Sequence, residues 1–158
     1  MNVPSPRGDH EGLVERVVAF LTRQNAWFER VLDALRGMRA DLDEAEMLAL
    51  AKRHAAIMKK RAEYERELAR LTEEWRKAIK DHPGSIPELA RARIRTLAKQ
   101  GESLTEQVHV AYESALAVVE GQAREAKGAL DALKQGRSVI RKYAPGHSSD
   151  ALFIDRKA

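Results

Sequence analysis

Residues 9–42 read DHEGLVERVVAFLTRQNAWFERVLDALRGMRADL, and the spacing of their apolar residues decides the fold class. Apolar side chains recur at alternating steps of three and four residues, which is the heptad seam of a helix that packs on other helices. The seam consists of Val14, Val17, Leu21, Gln24, Phe28, Val31, Leu35, Met38 and Leu42. Asp9 is a good N-cap residue, so we predict a helix over residues 9–42.

Two further helices are predicted by the same spacing. The seam of the second, over residues 45–81, is Met47, Leu50, His54, Ile57, Arg61, Tyr64, Leu68, Leu71, Trp75 and Ala78. It should end before His82-Pro83-Gly84, because proline cannot continue a helix. Ser85 and Glu88 have the spacing of a capping box and open the third helix, over residues 86–136. Three glycines weaken this helix, so that a bend or a break in it stays open: Gly101, Gly121 and Gly128.

The three predicted helices would be roughly 45–75 Å long, so they would not pack into a compact globule. We therefore predict an all-α fold, an elongated antiparallel bundle or coiled coil of three long helices. Residues 1–8 should be a disordered leader and residues 137–158 a flexible basic tail. The third helix is the longest and should extend past the other two, which would leave part of its apolar stripe uncovered.

Composition limits the location of the chain and its partners. No run of about 18 apolar residues is present and residues 1–7 have no signal-peptide core, so we expect a cytoplasmic protein that is not an integral membrane protein. From residue 124 onward, eight Lys/Arg stand against four Asp/Glu, which places the net charge of +4 at the C-terminal end. This excess makes nucleic acid a partner to consider, but the aromatic residues that stack on bases are not interleaved with the basic ones.

The sequence shows no arrangement of residues typical of an enzyme. Glu106 and His109 have the spacing of a di-iron motif, but such sites need two copies and two further Glu residues. A nucleophile elbow and a phosphate-binding glycine loop are both missing. His54 and Arg61 are best interpreted as polar members of a packed seam. We expect no enzyme activity, cofactor, metal or small-molecule substrate.

Three segments near the C-terminus resemble a known family. They are VVEGQARE at 118–125, ALDALK at 129–134 and YAPG at 143–146, and the chain ends in IDRKA at 154–158. In these segments the chain resembles the FlgN-like family of flagellar export chaperones, whose members are all-helical and of this length. Some members have Asn just before the hydrophobic pair, where this chain has Tyr112 and Ala115 instead.

The resemblance implies a chaperone that binds amphipathic helical ends of hook-associated (hook–filament junction) proteins. It would prevent their premature assembly and deliver them to the export gate. The implied client-binding residues are Ala115, Val118, Val119, Gln122, Ala126, Leu130 and Leu133. Tyr143 would dock on the export-gate platform protein. Phe153 and Ile154 would form a lid that folds over the empty groove or becomes ordered on binding.

Two other functions stay open. The seams could pair with those of further copies in a structural homo-oligomeric coiled coil. A basic helical nucleic-acid-binding protein is the weaker alternative.

We predict that Tyr143→Ala leaves client binding intact and impairs delivery, because the resemblance assigns this residue to docking on the export gate. Pull-down of a hook-associated protein measures the first, and secretion of that protein measures the second. An equal loss of both would contradict the separate role.

Overall fold

The computed structural model describes residues 6–122 and 127–141, which form five helices and no strand. The helices are α1 (Pro6–Arg36), α2 (Glu44–Met58), α3 (Arg61–Asp81), α4 (Glu88–Gly121) and α5 (Lys127–Arg141). The predicted all-α class is confirmed for these residues. No helix among them is long and apolar enough to cross a membrane.

Helix α1 packs along α4, and the other helices complete two apolar clusters on this pair. The first cluster joins the N-terminal half of α1 to α3 and to the start of α4, around Val17, Leu71 and Ile94. The second joins the C-terminal half of α1 to α2, α5 and the end of α4, around Val31, Val108 and Leu133. Most of the α1 seam is fully buried, as its heptad spacing predicts.

The prediction of one continuous helix over residues 45–81 is wrong, because the chain turns at residues 59–60 between α2 and α3. The carbonyl oxygen of Ile57 accepts a hydrogen bond from the Lys60 amide at 3.4 Å and one from Nε1 of Trp27 at 2.9 Å. A helix carbonyl left unpaired in the interior would destabilise the fold. The Trp27 indole therefore stabilises the turn.

The predicted bounds of the other helices also need correction. Helix α1 begins at Pro6, so residues 6–8 belong to the helix rather than to the predicted leader and Asp9 is not the N-cap; α1 ends at Arg36 rather than at residue 42. The expected capping box at Ser85 is wrong, because Pro87 is the N-cap of α4 and no side chain caps it. Glu88 instead pairs with Arg95.

The predicted helix over residues 86–136 is wrong at its C-terminal end as well. Helix α4 ends at Gly121, and α5 continues through Gly136 to Arg141. The tail therefore does not begin at residue 137. The predicted end at Asp81 is confirmed, and Gly84 follows it with a φ of 80°, a conformation that glycine adopts without strain.

Candidate helix-binding groove

Helix α5 lies on a surface formed by α4 and α2, which we call the α5 groove. Its buried residues recur at steps of three and four, so α5 is amphipathic and places one face on this surface. The groove consists of Tyr112, Ala115, Leu116 and Val119 of α4 with Met47, Ala51 and His54 of α2. The α5 residues that pack into this region are Ala129, Leu133, Gly136, Val139 and Ile140.

A polar cluster of Tyr112, His54 and Met58 lies within the groove. The hydroxyl of Tyr112 is 2.5 Å from Nε2 of His54 and 3.8 Å from Sδ of Met58. The Tyr112 and His54 rings meet edge to face, with centroids 5.4 Å apart. The two side chains are 0 % and 1 % exposed, so this cluster joins α4 to α2 inside the apolar core.

The hydrogen positions in this cluster follow from the cost of an unpaired donor. Nδ1 of His54 has no partner. If Tyr112 donated to Nε2, a neutral imidazole would keep an unpaired N–H at Nδ1. We therefore assign the proton to Nε2, which donates to the Tyr112 oxygen, while the Tyr112 hydroxyl donates to Met58. This assignment leaves only an acceptor lone pair unpaired.

Gly136 is the point at which α5 comes closest to this cluster. A Cβ atom at this position would lie 2.7 Å from Cζ and 2.9 Å from Cε1 of Tyr112, which is closer than side chains approach in proteins. The Tyr112 ring is fully buried and cannot move away without disturbing its neighbours. Gly136 is therefore needed for the close approach of α5.

Burial keeps both titratable groups of the cluster neutral at pH 7. It lowers the pKa of His54 from 6.5 to about 4, because the imidazolium would lose its hydration. It also raises the pKa of Tyr112, since the phenolate would lose its hydration in the same way. The cluster thus holds α2 and α4 together by neutral hydrogen bonds.

The rim of the groove carries ion pairs, and two clefts adjoin α5. Glu113 lies 3.2 Å from Arg137 and 4.0 Å from Arg141, and such exposed pairs contribute up to about 1 kcal/mol. A cleft of about 350 Å³ is lined by Leu42, Glu44, Met47, Leu48, Gln122, Gly128 and Ala129. A second cleft, of about 220 Å³, lies beside His54, Met58, Gln135 and Val139. Side chains of α5 therefore leave space unfilled near both ends of the groove.

The residues expected to bind a client lie mostly beneath or on α5. Ala115, Val119 and Leu133 are at most 1 % exposed, so the prediction that they lie on an uncovered stripe is wrong. Val118 and Leu130 are half-buried and pack against the same cluster. The reason is that α5 runs back along α4, which pairs Tyr112 with Gly136 and covers the stripe that a continuous helix would have exposed.

The remaining predicted site residues are placed differently. Gln122 is exposed at the end of α4, where its side-chain amide donates to the carbonyl oxygen of Ala40 at 3.1 Å. Ala126, Tyr143, Phe153 and Ile154 lie outside the described residues. Their predicted roles stay predictions.

The role of Gly136 is not evident from the sequence, in which this residue marks the predicted end of the helical pattern. Val139 and Ile140 carried the signal, because they lie six and seven residues after Leu133 and so continue its apolar spacing about two turns on. Tyr112 had no such signal, because its partners lie 54, 58 and 24 residues away in the chain.

Comparison with known proteins adds no relative. The chain matches no family model, no curated protein and no solved structure. Within residues 6–122 and 127–141, no group of three or more His, Cys, Asp or Glu side chains could hold a metal ion.

We predict that Gly136→Ala lowers the free energy of unfolding by about 1–3 kcal/mol, because the added methyl group overpacks the contact with Tyr112. Gly128→Ala is the matched control on the same helix, where a Cβ meets nothing within 4 Å. It should raise stability by at most about 0.5 kcal/mol, because Gly128 lies in the first turn of α5, where helix propensity counts less than in the interior. Urea unfolding measures both, and an equal effect of the two substitutions would contradict the close approach.

A double-mutant cycle separates this contact from a general effect on α5. Tyr112→Phe removes the hydroxyl group nearest to Gly136, so Gly136→Ala should cost less in that background than in the native chain. Additive losses of stability would show that the Tyr112 hydroxyl group takes no part in the contact with residue 136.

The pKa of His54 predicts a loss of stability in acid. The unfolded chain takes up this proton below pH 6.5, whereas the folded chain does so only near pH 4. The free energy of unfolding should therefore fall by about 3 kcal/mol between pH 6.5 and 4 from this group alone. His54→Gln should reduce the fall, and the exposed control His82→Gln should not. Urea unfolding at several pH values measures the free energy of unfolding of the native chain and of both variants. The same dependence on pH in all three proteins would contradict the prediction.

Proposed function

We propose that this chain is a cytoplasmic flagellar type III export chaperone, built as an elongated antiparallel helical bundle. Its clients are the amphipathic helical ends of hook-associated proteins, which it keeps from assembling early and delivers to an export-gate platform protein. One observation carries the proposal: the surface of α4 and α2 accommodates an amphipathic helix, because it already binds α5. Residues 118–122 and 129–134 of the segments that resemble FlgN-like chaperones lie at this surface or on α5 itself.

Client binding at this groove requires α5 to leave it. A client helix would replace the apolar contacts of Leu133 and Ile140 with its own, which is recognition of a helix in a groove. The contacts that α5 gives up are similar in kind to those that the client makes. The balance between the two states then depends on the difference in fit and on client concentration.

The cleft beside Leu48 is a suitable first contact for the client. Leu48 is 48 % exposed, which is unusual for a large apolar residue of this bundle, and the cleft already contains apolar surface of Met47 and Ala129. An apolar client side chain could enter there before α5 moves. The client helix would then replace α5 progressively along the groove toward Tyr112.

A structural homo-oligomeric protein is the second candidate function. The observation in its favour is the heptad spacing that the buried residues of α4 and α5 share, since such spacing also suits helices from separate copies. No feature of the described residues favours the nucleic-acid alternative, since Arg137 and Arg141 at the rim pair with Glu113.

The chaperone proposal is tested by locking α5 in place. The chain has no Cys, so Glu113→Cys with Arg137→Cys gives the only thiol pair for a short bis-maleimide cross-linker between α4 and α5. We expect the cross-linked monomer to lose binding of a purified hook-associated protein by at least roughly tenfold. The untreated variant should bind as the native chain does.

The matched control places the same cross-link far from the groove. Arg16 and Glu74 form an ion pair at 2.6 Å between α1 and α3, so Arg16→Cys with Glu74→Cys can be linked in the same way. This linked protein should bind the client normally. If neither protein nor the native chain binds any hook-associated protein, the proposed function is wrong. If the α4–α5 link leaves binding unchanged, the client site lies elsewhere.

A further inference from the structure

The buried residues of α4 and α5 belong to one heptad series. On α4 the series consists of Val108, Tyr112, Ala115 and Val119, and on α5 it consists of Ala129, Leu133, Gly136 and Ile140. Val119 and Leu133 are 14 residues apart, which is two heptads. The spacing therefore stays in register across the break between the two helices, as it would in one uninterrupted helix.

The sequence between the two helices favours helix rather than a turn. Residues 121–128 read GQAREAKG, and the six residues between the glycines are strong helix formers without proline or β-branched side chains. Connections between antiparallel helices more often contain residues that stop a helix. Gly121 and Gly128 are the only residues of this segment that weaken a helix, and a Cβ at either position meets nothing within 4 Å.

We propose that α4 and α5 also join into one helix, and that α5 of a second copy of this chain then occupies the α5 groove. Two chains would exchange α5 reciprocally and form a domain-swapped dimer. The occupant is α5 itself because it fits the groove by construction: Gly136 faces Tyr112, and Arg137 and Arg141 reach Glu113. The same residues make these contacts whether α5 comes from one chain or from its partner.

The exchange of α5 between two chains leaves the contacts of α5 unchanged. Two other contributions to the free energy therefore decide the equilibrium between monomer and dimer. In one joined helix, the residues between Gly121 and Lys127 would take part in the helical hydrogen bonding, and a short link between two antiparallel helices is a feature that promotes swapping. Association of two chains costs entropy, which makes the dimer dependent on protein concentration. This inference does not rest on the chaperone function, since it concerns only the chain's own helix.

The first experiment changes the helix preference of the connection and leaves the groove intact. Gly121 is the last residue of α4 and Gly128 the second of α5, so alanine gains less at these helix ends than it would in the interior of one joined helix. Gly121→Ala with Gly128→Ala should therefore favour the joined helix and strengthen dimerisation roughly tenfold, as measured by light scattering over a range of concentrations. Ala126→Pro should abolish the dimer, because proline cannot occupy the interior of a helix. Gly12→Ala is the matched control: its Cβ also meets nothing within 4 Å on α1, so it should leave the equilibrium at its native value.

The second experiment identifies which chain supplies α5. In the Glu113→Cys, Arg137→Cys variant, a bis-maleimide should link the two thiols within one chain in the monomer fraction. In the dimer fraction it should link two chains, which then run as a covalent dimer on a denaturing gel. Circular dichroism checks that Ala126→Pro keeps the native helix content, and Arg124→Pro replaces it if it does not.

The proposal predicts a dimer that the alanine pair strengthens, that proline removes and that cross-links between chains. A dimer whose cross-links form only within each chain would overturn it, as would a dimer that persists in both proline variants. A monomer at every concentration, in the alanine pair as well as in the native chain, would overturn it too.

Discussion

The contact between Tyr112 and Gly136 determines how the C-terminal half of the bundle is assembled. Tyr112 occupies the space between three helices, and its hydroxyl group is satisfied by His54 and Met58 of α2. Because the ring is held in this position, the residue of α5 that lies against it must lack a side chain, and that residue is Gly136. The position of α5 along α4 follows from this match, and so do the burial of Leu133 and the closure of the groove.

The neutral state of this cluster is as important as its shape. A charged imidazole in the same place would lose most of its hydration, because His54 is only 1 % exposed. The cluster therefore combines specificity with modest strength, since neutral hydrogen bonds contribute about 1 kcal/mol each. A helix held mainly by apolar contacts and a shape match can be exchanged for another helix of similar shape. Both the client proposal and the swapped dimer use this property.

Sequence spacing predicts the fold class and most of the buried surface, because amphipathic helices bury their seams whatever their partners are. It also predicts that α3 ends at Asp81, because the turn residues that stop the helix follow directly in the sequence. It does not predict the turn at residues 59–60, which depends on Trp27, a residue distant in the chain. Nor does it predict α5 as a separate helix, because the heptad register continues unbroken from Val119 to Leu133. A register alone cannot distinguish one long helix from two that fold back on each other.

Hydrogen exchange of the α5 backbone amides tests the central claim most directly. We predict that amides near Leu133 and Ile140 are protected in the native chain, although less than those of α4 around Tyr112, because α5 can leave the groove while the rest of the bundle stays folded. In Gly136→Ala they should lose protection, while α1 and α3 amides near Val17 and Leu71 keep it, because the first apolar cluster does not involve α5. Equal protection of α5 in both proteins would contradict the claim that the Tyr112–Gly136 contact holds this helix.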